Sequence, residues 1–291
     1  MERDVDRFRN AIVVLTGAGG GLGRCLVLEF ARAGARVHAV DIDGGRAAAV
    51  QDEARALGLA VTGHAVDCAD PEAMGALGDA VLAAEGRVDI LVNNAGVCVA
   101  GRAEEIPLAD WTWITDVNWW ATVHGVRTFL PGMIARRSGH VVNIASMAGL
   151  LPLPGVVPYC ATKAAVAALS ESLAIEVASA GVRVTSVCTG SLRTRVLADG
   201  RLALPPDFRG RLLDLMARWA PTPERAARRI VRAVARGRRQ VRMPGELWPL
   251  WILRRISMRL YVGALALAFG RPLRAWRAGA PSASRPAEGD R

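Results

Sequence analysis

The chain has 291 residues, of which 52% are hydrophobic and 22% charged, with a formal net charge of +10. That is enough apolar content for one buried core with peripheral additions, and it excludes a disordered or low-complexity chain. The five cysteines (Cys25, Cys68, Cys98, Cys160 and Cys188) never form a C-x-x-C pair. Their odd number and wide spacing argue against a disulfide framework or any metal site and for a reducing, cytoplasmic setting. The charged first residues carry no apolar export segment.

Short apolar runs alternate with longer Ala/Leu-rich stretches. Runs at 11–15, 36–40, 60–66, 88–92, 140–144 and 183–187 read as buried strands, bounded by Gly, Asp or Asn. Between them, 22–33, 45–57, 71–85, 108–133 and 158–180 have helical spacing. This alternation predicts an α/β fold: a doubly wound parallel sheet with helices on both faces and ligands at the strand C-termini. The catalytic domain spans 8–244. It includes an irregular Arg-, Leu- and Pro-rich lid at about 190–220, a basic amphipathic helix at 223–236 and an edge strand at 240–243. An amphipathic extension at 245–270 and a disordered basic tail at 271–291 follow.

Thr16-Gly17-Ala18-Gly19-Gly20-Gly21-Leu22-Gly23 follows the first strand and opens a helix. Glycines permit a tight turn and close backbone approach to a pyrophosphate, whose charge the helix amides and dipole stabilise. Gly17, Gly21, Leu22 and Gly23 are therefore expected at a dinucleotide. Asp41, twenty residues beyond Gly21, ends the second strand; a carboxylate there accepts from ribose hydroxyls and repels a 2′-phosphate, which favours NAD over NADP. Arg24 and Arg46 keep NADP as the alternative. Asp67 follows the third strand, and Asn93-Asn94-Ala95-Gly96 the fourth, at the same ligand edge.

Lys163 is the single lysine beside 36 arginines. A position where the chain departs from Arg calls for a compact, rotatable donor. Tyr159 lies four residues earlier, on the same helical face. An adjacent ammonium is expected to bring the phenol toward neutrality and make it an acid–base group. Ser146, just after the fifth strand, can hold a substrate oxygen.

Taken together, Thr-Gly-x-x-x-Gly-x-Gly at 16–23, Asn-Asn-Ala-Gly at 93–96, Ser146 and Tyr159-x-x-x-Lys163 resemble the short-chain dehydrogenase/reductase family over about residues 8–244. The resemblance implies that Ser146 orients the substrate oxygen, Tyr159 exchanges the proton, and Lys163 binds the nicotinamide ribose while lowering the tyrosine's pKa. It further implies that Asn118 holds a water in the proton relay, Asp67 contacts adenine, Thr194 lies near the carboxamide, and the chain forms a homodimer or homotetramer. Where the family has Pro-Gly after the sixth strand, this chain has Thr189-Gly190.

The charge is uneven: residues 1–182 hold 14 basic and 20 acidic residues, net −6, and residues 183–291 hold 23 and 7, net +16. Residues 247–269 are apolar but interrupted by Arg254, Arg255 and Arg259, and their longest unbroken apolar run is too short to span a bilayer. With Ile252, Ile256 and Leu260 at four-residue spacing and Trp248 and Trp251 nearby, the segment is expected to lie on an anionic membrane surface, the inner face of the cell membrane. The alternative is packing on protein, as a lid or dimer arm. Nucleic acid is not expected, because no nucleic-acid module accompanies the arginines. The extension and the NAD-type loop resemble the retinoid and steroid branch of the family, and Met147, Leu150, Leu151, Leu153, Val156, Leu192, Val196 and Leu197 are expected to wall a pocket for a lipophilic alcohol. The rival reading is a non-catalytic dinucleotide sensor or scaffold, or an NADP-dependent carbonyl reductase.

Overall fold

The computed structural model describes residues 8–190, 192, 200–203, 221–243 and 248–279. The six expected strands are β1 (Ile12–Thr16), β2 (Arg36–Asp41), β3 (Val61–Ala65), β4 (Ile90–Asn93), β6 (Gly139–Ser146) and β7 (Val182–Thr189), and the expected edge strand is β9 (Gln240–Met243). They form one parallel sheet in the order β3-β2-β1-β4-β6-β7-β9. Two short strands, β5 (Val99–Ala100) and β8 (Arg201–Leu202), pair separately and were not legible as strands.

Helices cover both faces because the central strands are apolar on both sides. Val13 and Leu15 face a core with α1 (Gly21–Arg32), α2 (Gly44–Ala56) and α8 (Pro223–Ala235). Ile12 and Val14 face one with α3 (Pro71–Glu85), α5 (Ala121–Ala135) and α7 (Val157–Glu176). Local chemistry starts three of these helices: Asp43 accepts from the Arg46 amide at α2, Asp70 from Glu72 and Ala73 at α3, and Thr222 from Arg225 at α8. Helices α5 and α7 start without a side-chain cap, and so does α1, which begins after Gly20 with no acidic residue in its first turn. Its leading amides are left for something other than the protein's own side chains.

Three expectations change. The stretch 108–133 is not one helix: α4 (Leu108–Thr115) runs into a wide π turn, Asp116–Trp120, before α5. Ser146 caps a short helix, α6 (Met147–Leu150), by accepting from the Ala148 amide. The C-terminal segment forms α9 (Trp248–Ile256) and α10 (Met258–Gly279), broken at Ser257, and α10 runs past residue 270, where a disordered tail was expected. Residues 280–291 and most of the expected lid lie outside the described residues.

Candidate active site

Strand order reverses between β1 and β4, and at such a switch point the loops leaving two neighbouring strands diverge and open a crevice. Thr16, at the end of β1, ties the crevice together: its hydroxyl accepts from the amides of Asn94 (3.0 Å) and Ala95 (3.1 Å), beyond β4. The Asn94 side chain donates to the carbonyls of Thr16 and Gly17, each at 2.9 Å. Gly17 has φ +63°, and a Cβ there would lie 2.7 Å from the Ala95 Cα, so only glycine lets the two loops approach so closely. Gly21 and Leu22 open α1, where their amides belong to the uncapped first turn; the Leu22 side chain is in the core, and Gly23 packs on the Gly17 carbonyl.

Asp41 faces this loop directly. One carboxylate oxygen accepts from the Gly19 amide at 2.7 Å and the other from the Asp43 amide at 3.0 Å. The two arginines behind the NADP alternative are both engaged: Arg24 is ion-paired with Glu53, and Arg46 lies 3.2 Å from Asp43. Asp67 is exposed after β3 and accepts from the Ala69 amide at 2.9 Å.

The second half of the crevice gathers Gly96, Asn118, Ser146, Tyr159 and Lys163. Lys163 is buried on α7 and donates to the Ile144 carbonyl at 3.0 Å, with its ammonium 6.0 Å from the Tyr159 ring centre. A Cβ at Gly96 would come within 3.0 Å of the Lys163 ammonium and 3.1 Å of Asn118 Oδ1. Asn118, wholly buried in the π turn, accepts from the Val97 amide (2.8 Å) and donates to the Val97 carbonyl (3.0 Å) and the Thr162 hydroxyl (3.1 Å). The extra residue of a π turn redirects a side chain that an α-helix would aim elsewhere, and this one links the Gly96 loop to α7. Ser146 donates to the Thr189 carbonyl at 3.2 Å, so the unusual Thr189 contributes through its backbone.

The electrostatics differ from the expectation. Burial pushes the Tyr159 phenol up to about 12, against the pull of a hydrogen bond with Ser146, and burial pushes Lys163 down to about 8. Burial is the largest cause at both groups, because they share a pocket in which every charged form is penalised.

The expected pocket wall is also revised. Met147 and Leu151 turn into a core cluster with Cys188 and Tyr261, and Leu192 packs against the core beside α1. Tyr159 instead packs with Val97, Trp111 and Trp113 on the cluster of Val99, Ile106 and Ile114.

Comparison with known proteins gives the family. The short chain dehydrogenase family model matches residues 11–203. This chain is a member of the short-chain dehydrogenase/reductase family. The oxidoreductase SadH of Mycobacterium tuberculosis is 37% identical over 87% of this chain and 93% of its own. Epidermal retinol dehydrogenase 2 of Mus musculus is 34% identical over 84% and 77%. Among solved structures, a short-chain dehydrogenase/reductase from Burkholderia phymatum in complex with NAD is similar with a TM-score of 0.81, 32% identity and coverage of 87% and 96%. A metagenomic short-chain oxidoreductase in complex with NADP has a TM-score of 0.67, with 30% identity over 81% and 98%. The protein is accordingly an NAD(P)-dependent oxidoreductase acting on CH–OH groups.

Sequence reasoning overlooked several residues of this dehydrogenase. Thr16 was visible in the glycine motif but has no signal of its own as a clamp. Thr162 and Gly149 were hidden: a Cβ at Gly149 would lie 2.6 Å from the Lys163 backbone, so α6 can press on α7 only through glycine. Thr194, Val196 and Leu197 lie outside the described residues.

Proposed function

We propose that this dehydrogenase interconverts a lipophilic alcohol and its carbonyl compound using NAD(H), with Tyr159 as the general acid and base. The observation that carries the reading is the convergence of Tyr159, Ser146 and Lys163 beside Gly96, with Tyr159 packed on the same apolar cluster as Trp111 and Trp113. The uncapped start of α1 and the close-packed glycine loop suit a dinucleotide pyrophosphate. The glycine loop and Asp41 would hold the dinucleotide, whose nicotinamide would supply the hydride acceptor or donor for the carbinol carbon. Ser146 holds the substrate oxygen, and Tyr159 removes its proton in oxidation or supplies one in reduction. Lys163 binds ribose hydroxyls and stabilises the phenolate by charge. Asn118 would hold the relay water; its side-chain amide is bonded to Val97 and Thr162, and its main-chain carbonyl accepts from the Thr122 hydroxyl at 3.1 Å.

Asp41 supports NAD, since its carboxylate stands at the Gly19 amide where a 2′-phosphate would meet like charge, and Arg24 is held away by Glu53. A lipophilic substrate is supported by the two indoles and by a relative named for retinol, itself a lipophilic alcohol. The exposed apolar side chains of α9 and α10 support peripheral attachment to a membrane in which such a substrate dissolves. Among the described residues, no helix is long and apolar enough to cross one. A homodimer or homotetramer, the assembly the family implies, completes the reading.

The test is a screen of purified protein against cyclic, long-chain and sugar alcohols with either cofactor, following nicotinamide absorbance. The expected result is the highest kcat/KM for hydrophobic alcohols with NAD. Preference for sugars would overturn the substrate class, and preference for NADP the cofactor.

A further inference from the structure

A groove of about 590 Å³ lies along α8 and β9, on the edge strand of the main sheet. Arg225, Arg228, Arg229 and Arg232 project into it from α8, at the three- and four-residue spacing of one helical face, while Ala226, Ala227, Ile230, Val231 and Val234 bury the other. Arg236 and Arg238, in the turn after α8, and Arg242, on β9, complete the lining. Residues 225–243 contain eight arginines and no acidic residue.

That composition departs from the rest of the surface. Several arginines elsewhere stand beside carboxylates, Arg24 with Glu53, Arg36 with Glu85, Arg87 with Asp89 and Arg201 with Asp110, while Arg136, Arg137 and Arg254 donate to main-chain carbonyls. In the groove, Arg225, Arg228, Arg229, Arg232, Arg236 and Arg238 are exposed and have no carboxylate partner among the described residues. Like charges gathered in one groove repel one another and are relieved by an anion. They also discourage another strand from pairing with the open edge of β9.

The groove continues into the apolar end of the chain. The Arg242 guanidinium lies 4.3 Å from the Trp251 ring centre on α9, and Arg255 lies over the same indole at 5.1 Å. Beyond that joint, Ile256 (75% exposed), Leu260, Val262 and Leu267 (87% exposed) stand in solvent, while Tyr261 on the opposite side of α10 is buried. A soluble polyanion has no use for this apolar ridge; a bilayer with anionic headgroups has a use for both. We infer that the arginine groove of α8 and β9 binds the phosphates of anionic phospholipids and docks the enzyme on a membrane whose acyl region receives the α9–α10 ridge. This rests on the peripheral attachment proposed above and adds to it a charge-reading site remote from the catalytic residues.

The experiment is flotation of the full chain with vesicles of pure phosphatidylcholine and of phosphatidylcholine with phosphatidylglycerol at 3:1, at two salt concentrations. Two variants accompany it: Arg228→Gln/Arg229→Gln/Arg232→Gln in the groove and Ile256→Ser/Leu260→Ser/Leu267→Ser on the ridge. Retention of the far-ultraviolet spectrum and of cofactor binding shows that each folds. The wild type is expected to prefer the anionic vesicles and to lose them with salt. Each basic residue near an anionic surface contributes about a fivefold factor, so the groove variant is expected to bind them on the order of 100-fold more weakly, with a shallower salt dependence. Equal binding by the groove variant and the wild type would overturn the groove and leave the ridge reading standing. If the wild type ignored both vesicles, the peripheral attachment would fall as well. Displacement from anionic vesicles by millimolar inorganic phosphate at constant ionic strength, or tighter binding to an acidic peptide or duplex DNA than to vesicles, would reassign the groove to a soluble anion and overturn the lipid assignment.

Discussion

At Tyr159 two demands conflict. The hydride-transfer site has to be shielded from water, and shielding pushes the phenol up to about 12, away from a useful acid–base value. The proposed role therefore relies on the charge of Lys163 and of an oxidised nicotinamide when bound. Tyr159→Phe should lower kcat by about 10²–10⁴-fold while leaving the dissociation constant for NAD, measured by fluorescence, almost unchanged. A variant with more than about a tenth of the wild-type rate would remove Tyr159 from the mechanism. Asp41→Ala should shift the ratio of kcat/KM values toward NADP, and a wild-type enzyme already preferring NADP would refute the role of Asp41. Lys163 has a stability signature of its own. Burial holds its folded-state value at about 8, below its ordinary 10.5. Below pH 8 both folded and unfolded chains carry the proton, and the full cost of burying the charge is present. Between 8 and 10.5 only the unfolded chain holds it, so stability rises with pH. Urea unfolding of the cofactor-free protein should show wild type gaining on Lys163→Met across that window, whereas a constant gap would show that the ammonium is not penalised.

At the scale of elements, the site depends on how closely α6 and α7 approach. Ser146 ends β6 and caps α6, and Gly149 of α6 sits against the Lys163 backbone, so Ser146, Tyr159 and Lys163 share one packing joint. Gly149→Ala puts a methyl group where no space exists. It should cost about 1–3 kcal/mol of stability and reduce kcat more than it weakens NAD binding, because the glycine loop is untouched. Thermal unfolding together with steady-state kinetics measures both; a variant matching wild type in kcat would show that the joint tolerates movement. The π turn holding Asn118 has the same logic, because an unbroken α-helix over 108–133 would not carry the Asn118 amide to both Val97 and Thr162.

For the molecule as a whole, the C-terminal helices are part of the catalytic body. Arg254 donates to the Leu150 carbonyl and Tyr261 to the Pro152 carbonyl, each at 2.6 Å, which pins the loop between Ser146 and Tyr159. Tyr261 is 2% exposed in the cluster with Met147, Leu151 and Cys188, and Trp276 is buried against Gly155. Of the two sequence alternatives for this segment, protein packing describes its buried face, and the membrane surface is proposed only for the face left exposed. Tyr261→Ala should cost about 3–5 kcal/mol, as other buried aromatic truncations do, and loosen the substrate side of the site. A change in melting temperature below about 2 °C would mean the extension is dispensable to the fold.

What the sequence by itself determined is what local chemistry encodes. Runs such as Val13-Val14-Leu15 declare buried strands, the glycines at 17–23 declare a turn onto a helix N-terminus, and a lone lysine four residues after a tyrosine declares a shared helical face. Those features need only neighbours in the chain, and the parallel sheet follows from their alternation. Tertiary structure alone decided the rest. Thr16 gains its role from an asparagine seventy-eight residues away, Asn118 from a π turn that spacing does not signal, and Gly149 from a helix pressed against it. Met147 and Leu151, apolar enough for a substrate wall, became core because α10 covers them, and the arginines of α8 became a groove only when β9 closed along their face. Each of these outcomes depends on contacts between segments far apart in the chain, and periodicity carries no information about which surfaces will meet.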